Sequence, residues 1–310
     1  MLKKFLTCLV LVLFCAATLA YTPVLANEEL SVAAKLDRVE TMIYGDPTPG
    51  SLIDRINKVE KNIFGYPVDG SIIDRAHSLY IFVCVTSDDA PSMLAKVNAA
   101  EWRLLQEVEV SKNSIESRIE SLEMMIGLNA GDDCLDTRLK KILEMTFDVD
   151  TINAVPVILP AETLVKIQIL DTINTKHTKK GDKVRIKASQ DVFIGDVLVI
   201  PSGAEGSAVI VNTKPAKSFG RDAKLEIDFY SVKAIDNVEI PTVLGDKAQA
   251  ETLSVARAAG ASVAGAILLG PFGFIGGSFV NGENINIQEG AEMYIQTKED
   301  VEAFGILIDR

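Results

Sequence analysis

Few side chains in this sequence have the types and spacing that catalysis or metal binding requires. The chain has only two histidines, His77 and His177, and four cysteines, so most histidine-based catalytic schemes and zinc sites lack their ligands. It contains no nucleophile elbow, phosphate loop, dinucleotide fingerprint or HExxH pattern. We therefore expect a protein that is not an enzyme and that uses no cofactor.

One acidic cluster has the composition of a calcium site. Asp132, Asp133 and Asp136 lie close together in the sequence beside Gly131, and carboxylate oxygens are the ligands that Ca²⁺ prefers. The same pattern is typical of a solvated turn in which Asp133 starts a helix. We favour the turn and predict no metal site.

A glutamate and an arginine recur together along the N-terminal half. Paired carboxylates would suggest acid/base chemistry, but a Glu and an Arg repeated at fixed spacing are more typical of ion pairs on a helix surface. The residues concerned are Glu40, Glu60 and Glu123 with Arg55, Arg75 and Arg138. We expect them to be structural.

These charges belong to an internal repeat with a period of 20 residues, visible in residues 36–55 and 56–75. The apolar residues of each unit fall three and four apart, which places them on one face of a helix. In each unit a glycine ends the helix, a proline prevents its continuation, and a serine with an acidic residue three positions later begins the next helix. The repeat positions singled out are Gly45, Pro47, Ser51, Arg55, Gly65, Pro67, Ser71 and Arg75.

The rest of the N-terminal half has the same helical spacing of apolar residues. A degraded third copy covers residues 118–139, and the apolar spacing over residues 94–126 suits a helical hairpin or a coiled-coil seam. Residues 27–150 are therefore predicted to form a helical repeat arm. Such an arm could bind a partner or oligomerise, or its helices could simply pack on one another, which we favour.

After Thr151 the pattern changes to alternating Val- and Ile-rich stretches separated by Gly, Pro and Asn, which is typical of strands. The predicted strands cover residues 164–170, 183–188, 197–200, 208–212, 224–234, 239–243, 284–287 and 292–297. Closure into a barrel would remove exposed edges. We predict an antiparallel β-barrel over residues 151–310, and an α+β fold for the whole chain.

Short motifs in this half include LPAET at 159–163, LVIPSG at 198–203, IDN at 235–237 and INIQEGAE at 285–292. In this order they resemble the C-terminal barrel of the TrbI-like proteins of conjugation and type IV secretion core complexes. The resemblance implies a barrel that carries a helical hairpin, which lines an outer-membrane pore in an assembled ring. Glu162 stands where the family has a glycine, and the proline-rich arm of the family is missing.

The segment that would form this hairpin, residues 251–282, is glycine-rich and apolar, with no charge between residues 258 and 280. Proline in its middle predicts two short helices, one ending near Gly270 and one starting at Pro271. Small residues would let these helices approach closely, as in a glycine zipper. The hairpin could be inserted in a membrane within an oligomer, be buried in the protein, or form one kinked span. Its residues are Gly260, Ala264, Gly265, Gly270, Pro271, Gly273, Gly276 and Gly277.

The N-terminal 26 residues have the parts of a secretory signal peptide: Lys3 and Lys4, a short apolar centre, and Ala26 before an acidic stretch. An uncleaved membrane anchor is the less favoured alternative. Export would leave Cys84 and Cys134, which could form a disulfide. Equally, Cys84 could be a small buried apolar residue.

A formal net charge of −12 disfavours nucleic acid as a partner. Together these features predict an exported, non-enzymatic cell-envelope protein, periplasmic or attached to the outer membrane, that contacts membrane and associates with itself or with envelope proteins. The alternative is a soluble secreted binding module for a protein or polysaccharide, located outside the cell. The two hypotheses differ in whether the hairpin meets lipid.

Overall fold

The computed structural model describes residues 30–88, 90–108, 114–129, 131–216, 223–258, 274–275 and 284–308. The predicted signal peptide and most of the predicted hairpin lie outside these residues. The described chain is α+β, as predicted, with a helical domain followed by an antiparallel β domain. The helices of the first domain are α1 Val32–Tyr44, α2 Leu52–Phe64, α3 Ile72–Cys84, α4 Met93–Leu105, α5 Ile115–Ile126 and α6 Leu135–Phe147.

These helices are 12 or 13 residues long, and most of them begin with the same signal. Five begin at a serine whose side-chain oxygen accepts a backbone N–H from the first turn: Ser31, Ser51, Ser71, Ser92 and Ser114. α1 and α2 end at Gly45 and Gly65, which have φ of +96° and +86°, a conformation that glycine adopts without a steric penalty. The 20-residue period thus corresponds to one capped helix and its turn.

Successive helices are joined by a Glu–Arg clasp, our name for a buried glutamate on one helix that is bonded by an arginine of the next. There are four clasps in the described helices: Glu40–Arg55, Glu60–Arg75, Glu101–Arg118 and Glu123–Arg138. The prediction of ion pairs was right, but their placement on the surface was wrong, because the four glutamates are only 0%, 1%, 2% and 4% exposed. The fourth pair, Glu101–Arg118, was missed.

For residues 94–126 the sequence left a helical hairpin and a coiled-coil seam open, and the seam is not formed. α4 ends where Gln106 takes a left-handed conformation with φ of +59°, and α5 begins only at Ile115. The two resulting helices are too short for the repeated heptads of a coiled coil. Their apolar residues, such as Val97 and Ile119, instead enter the common hydrophobic core.

The β domain contains a closed barrel of six strands. The strands are β2 Leu164–Ile169, β4 Lys183–Ala188, β7 Glu205–Lys214, β8 Lys224–Lys233, β9 Glu239–Val243 and β12 Glu292–Thr297. Their order around the barrel is β8-β7-β4-β2-β12-β9, with β9 pairing back to β8. All of the pairs are antiparallel, which confirms the predicted antiparallel barrel. Alternating burial along β2 and β4 places their apolar side chains in the core.

A second, four-stranded sheet has the order β1-β13-β6-β5. Its strands are β1 Ala154–Leu159, β13 Val301–Leu307, β6 Val197–Ile200 and β5 Val192–Ile194. The sequence prediction missed β1, β5 and β13. β1 contains Pro156, a residue that sheets accept only at an edge, and β1 is the edge strand here.

Two short pairings complete the β domain. β3 Ile173–Asn174 pairs with β11 Asn286–Ile287. β10 Phe274–Ile275 pairs with Leu225 and Glu226 of β8. The helix predicted to start at Pro271 is therefore wrong for Phe274 and Ile275, which instead use backbone groups that β8 leaves free beyond its pairing with β9.

The helical domain packs directly against the β domain. Trp102 of α4 donates its indole N–H to Asp191 at 3.0 Å and stacks edge-on against Phe193. Asn98 donates to the carbonyl of Ile235 at 2.8 Å. The buried residues of both domains form one continuous hydrophobic cluster.

Candidate functional site

A cavity with a volume of about 780 Å³ forms a cleft between the helical domain and the small sheet. One wall is the C-terminal end of α3 and the turn that follows it. The other consists of β1, β13 and the β8–β9 turn. We call this the junction cleft, and its lining residues that enter the argument are Arg38, Cys84, Asp88, Asp236, Val238, Ile158, Glu302 and Phe304.

Asp236 fixes one edge of the junction cleft. One carboxylate oxygen accepts the backbone N–H of Val238 at 3.0 Å within the β8–β9 turn, and the other accepts the backbone N–H of Phe304 in β13 at 2.9 Å. β6 pairs with β13 only at Ile306 and Leu307, so Asp236 satisfies a strand donor that the sheet leaves open. Asp236 therefore ties the barrel to the small sheet.

Burial raises the pKa of two ionisable groups in the junction cleft, Asp236 and Cys84. Desolvation raises the pKa of Asp236, although the hydrogen bonds from Phe304 and Val238 act in the opposite direction. Desolvation also raises the pKa of Cys84 to about 11, and the charge of Arg38 opposes this only in part. A thiol with that pKa stays protonated at neutral pH and is a poor nucleophile.

The open side of the junction cleft carries charges of both signs around apolar side chains. Arg38, Asp88 and Glu302 are exposed, and none of them forms an ion pair within the described part of the chain. Ile158 and Val238 are 59% and 40% exposed. Exposed apolar groups ringed by unpaired charges suit the binding of another molecule better than acid/base chemistry.

The repeat positions act as structural elements of the helical domain rather than as a surface site. Ser51 and Ser71 cap helices, and Pro47 and Pro67 lie in the turns between them. Arg55 and Arg75 are the donors of two clasps. Two of the clasp glutamates also hold the turn that follows their helix: Glu40 accepts the N–H of Thr48 at 3.0 Å, and Glu60 that of Val68 at 2.8 Å.

Burial raises the pKa of Glu40, but bonds from Arg55 and Thr48 outweigh it and leave the net pKa lowered. The carboxylate is thus ionised and fully used within the fold. The fourth clasp could have been found from the sequence, because Glu101 and Arg118 occupy the same helix positions as the other pairs. The longer separation of 17 residues, against 15 in the other three, hid them.

The cysteines do not pair in the structure. Both Cys84 and Cys134 are free thiols and are half-buried. Cys134 lies beside Gly65 at the end of α2 and forms the N-cap of α6, the position predicted for Asp133. Cys84 lines the junction cleft.

Two carboxylates of the acidic cluster near residue 133 form ion pairs with lysines. Asp133 pairs with Lys141, and Asp136 pairs with Lys140 at 2.7 Å. Within the ranges that the structure covers, no group of histidine, cysteine, aspartate or glutamate side chains is arranged to hold a metal ion.

The predicted hairpin residues, from Gly260 to Gly277, lie outside the described residues. Only the helix leading into them, α7 Asp246–Ala258, and the two residues of β10 are described. None of the described helices combines the length and apolar character that crossing a bilayer requires.

No family model matches the chain, and no curated protein matches it. Among solved structures, the chain is loosely similar to ComB10 of the Com type IV secretion system of Helicobacter pylori, with 12% sequence identity and a TM-score of 0.27. The match covers 47% of this chain and 90% of that chain.

Proposed function

We propose that this chain is an exported, non-enzymatic protein of the cell envelope with a structural or assembly role, resembling secretion-complex components, and that residues 251–282 contact the membrane. The proposal takes its location from the signal-like N-terminal sequence. It takes the mode of contact from the uncharged stretch at residues 258–280.

The observation that carries the proposal is that this stretch is anchored to the β domain at both ends. On the entry side, α7 packs on the barrel strand β12: Ala248 donates its backbone N–H to Gln296 at 3.1 Å, and Thr252 accepts that of Tyr294 at 2.9 Å. On the exit side, beside the β3–β11 pair, the backbone N–H of Ile285 is donated to Thr175 at 3.1 Å. The β domain is thus the base from which an apolar segment departs and to which it returns.

Apolar area of this size is costly to leave in water. Burying it gains roughly 25 cal/mol for each Å², and large exposed apolar patches on proteins usually meet a partner or a membrane. A continuous membrane-spanning helix is not the form proposed, because Phe274 and Ile275 pair with β8. We propose a re-entrant or oligomer-supported contact, in which neighbours satisfy the backbone groups that lipid cannot.

A second candidate is a secreted binding module for a protein or polysaccharide. The junction cleft favours it, because a volume of about 780 Å³ with unpaired charges of both signs fits a ligand-sized occupant. In this alternative the segment at residues 258–280 is buried against protein.

Membrane fractionation of the full chain separates the two candidates. We expect the protein to stay with the membrane pellet after washes with high salt and with carbonate. The variant carrying Leu268→Asp and Leu269→Asp should be released, because charges at these positions oppose transfer into lipid. Val255→Asp, on the exposed face of α7, is the matched control and should stay bound. Full release of the unaltered protein by these washes would overturn membrane contact and favour the binding module.

A further inference from the structure

A second, smaller cavity of about 330 Å³ lies between the C-terminal half of α3 and the N-terminal end of α4. Isoleucine, phenylalanine, valine, alanine and proline form most of its wall. Its polar lining consists of hydroxyl groups, one histidine and one lysine, and none of the residues described around it is acidic. The lining residues are His77, Ser78, Ile81, Phe82, Val85, Ser87, Ala90, Pro91, Ser92 and Lys96.

Lys96 is the unusual member of this lining. It is half-buried, and within the part of the chain that the structure covers its ammonium group forms no hydrogen bond or ion pair. The ammonium group lies 5.7 Å from the centre of the Phe82 ring, a weak compensation for lost hydration. Burial lowers the pKa of Lys96, the charge of Asp136 opposes this, and Lys140 reinforces it. The nearby Asp136 is already paired with Lys140.

His77 supplies a second donor on the opposite wall. Its Nδ1 lies 3.2 Å from the ammonium group of Lys35. An ammonium group can only donate, so Nδ1 accepts and the ring proton resides on Nε2. That N–H is then available to a ligand. The cavity therefore offers one cation and one neutral N–H donor, set within apolar walls.

We propose that this cavity binds a monoanionic carboxylate with a short apolar body, the carboxylate bonding to Lys96 and His77 and the apolar part packing on Phe82 and Val85. One unpaired cation matches a single negative charge, whereas a phosphate dianion would leave a net charge buried. The volume of about 330 Å³ is at the small end of ligand sites and restricts the body to a few carbon atoms or one side chain.

The carboxylate could belong to a free acid or to the C-terminus of a peptide. Hexanoate and acetyl-glycyl-leucine represent these two sources, and hexanamide and the amidated peptide are their uncharged counterparts. Binding to the full chain is measured by calorimetry and by saturation-transfer NMR. We expect at least one carboxylate to bind at least tenfold more tightly than its amide. Selective binding of hexanoate assigns the site to free acids, and selective binding of the peptide assigns it to C-termini.

Lys96→Met keeps the length of the side chain and removes its charge, so it should weaken carboxylate binding at least tenfold. Lys141→Met, which neutralises an exposed lysine of the same domain, should leave binding unchanged. Circular dichroism checks that both variants fold, and the comparison of acid with amide on the unaltered chain needs no variant. Equal binding of acid and amide, no binding of either probe, or full binding to a folded Lys96→Met variant would overturn the proposal.

Discussion

The second Glu–Arg clasp can be broken cleanly by Arg75→Met. In the native chain, Arg75 Nε donates to Glu60 at 2.9 Å, and the Arg75 guanidinium also bonds to Asn57. The substitution leaves Glu60, only 1% exposed, with a single described donor, the backbone N–H of Val68. A buried carboxylate without its cation costs about 3–5 kcal/mol. At about 2–4 °C for each kcal/mol in a chain of this size, Tm should fall by roughly 10 °C.

Calorimetry and urea unfolding followed by circular dichroism measure the effect. Replacing both partners, Glu60→Leu with Arg75→Met, should recover most of the loss, because no uncompensated charge is then buried. Lys141→Met breaks an exposed pair and should leave Tm unchanged. The reasoning is refuted if Arg75→Met behaves like Lys141→Met, or if the double replacement destabilises by the sum of the two single ones.

Three further changes test the junction cleft and the contact between the two domains. Asp236→Asn should cost about 1–3 kcal/mol in urea unfolding, because its amide nitrogen cannot accept the second backbone N–H; an unchanged midpoint would contradict the bridging role. Gly203→Ala should weaken the contact between the two domains, because the added Cβ would lie 2.0 Å from the carbonyl oxygen of Val108. Faster proteolysis between the domains would show this effect. Gly195→Ala, where no atom lies near the added Cβ, should not change the rate of proteolysis. Cys84 should react with iodoacetamide at pH 8 about 100-fold more slowly than a small-molecule thiol, and its rate should rise about tenfold for each pH unit toward its pKa of about 11. A rate equal to that of the free thiol would refute the enclosed site.

The helical half was predictable because its information is local. Five of the six helices begin at their own serine, and α1, α2 and α5 end at their own glycine, so within residues 36–75 the period of 20 residues is enough to place starts and ends. The period does not indicate how deeply each charged side chain is buried. Glu60 and Arg75 read as surface charges, and only packing of α2 against its neighbours buries them together.

The β half was predictable where strands alternate and not where pairing is distant. β2 and β4 alternate regularly and were found. β1 was missed because Pro156 breaks its pattern, and its partner β13 is more than 140 residues away in the sequence. No short sequence pattern predicts a pairing between strands that far apart. β10 was predicted as helix because Pro271 is also a good first residue of a helix.

The junction cleft was the least predictable feature, since it exists only where the two halves meet. The two halves are joined by the bonds of Trp102 to Asp191 and of Asn98 to Ile235, and the bond of Asp236 to Phe304 fixes one edge of the cleft. The link at Asn98 also connects the cleft to a clasp, because Arg118 bonds to the side-chain oxygen of Asn98 while the side-chain nitrogen of Asn98 donates to Ile235. The Glu101–Arg118 clasp therefore orients Asn98, the residue that bonds to the carbonyl of Ile235 in the β8–β9 turn. A clasp far from the opening thus holds one edge of the cleft in place, so its walls are positioned before any occupant arrives.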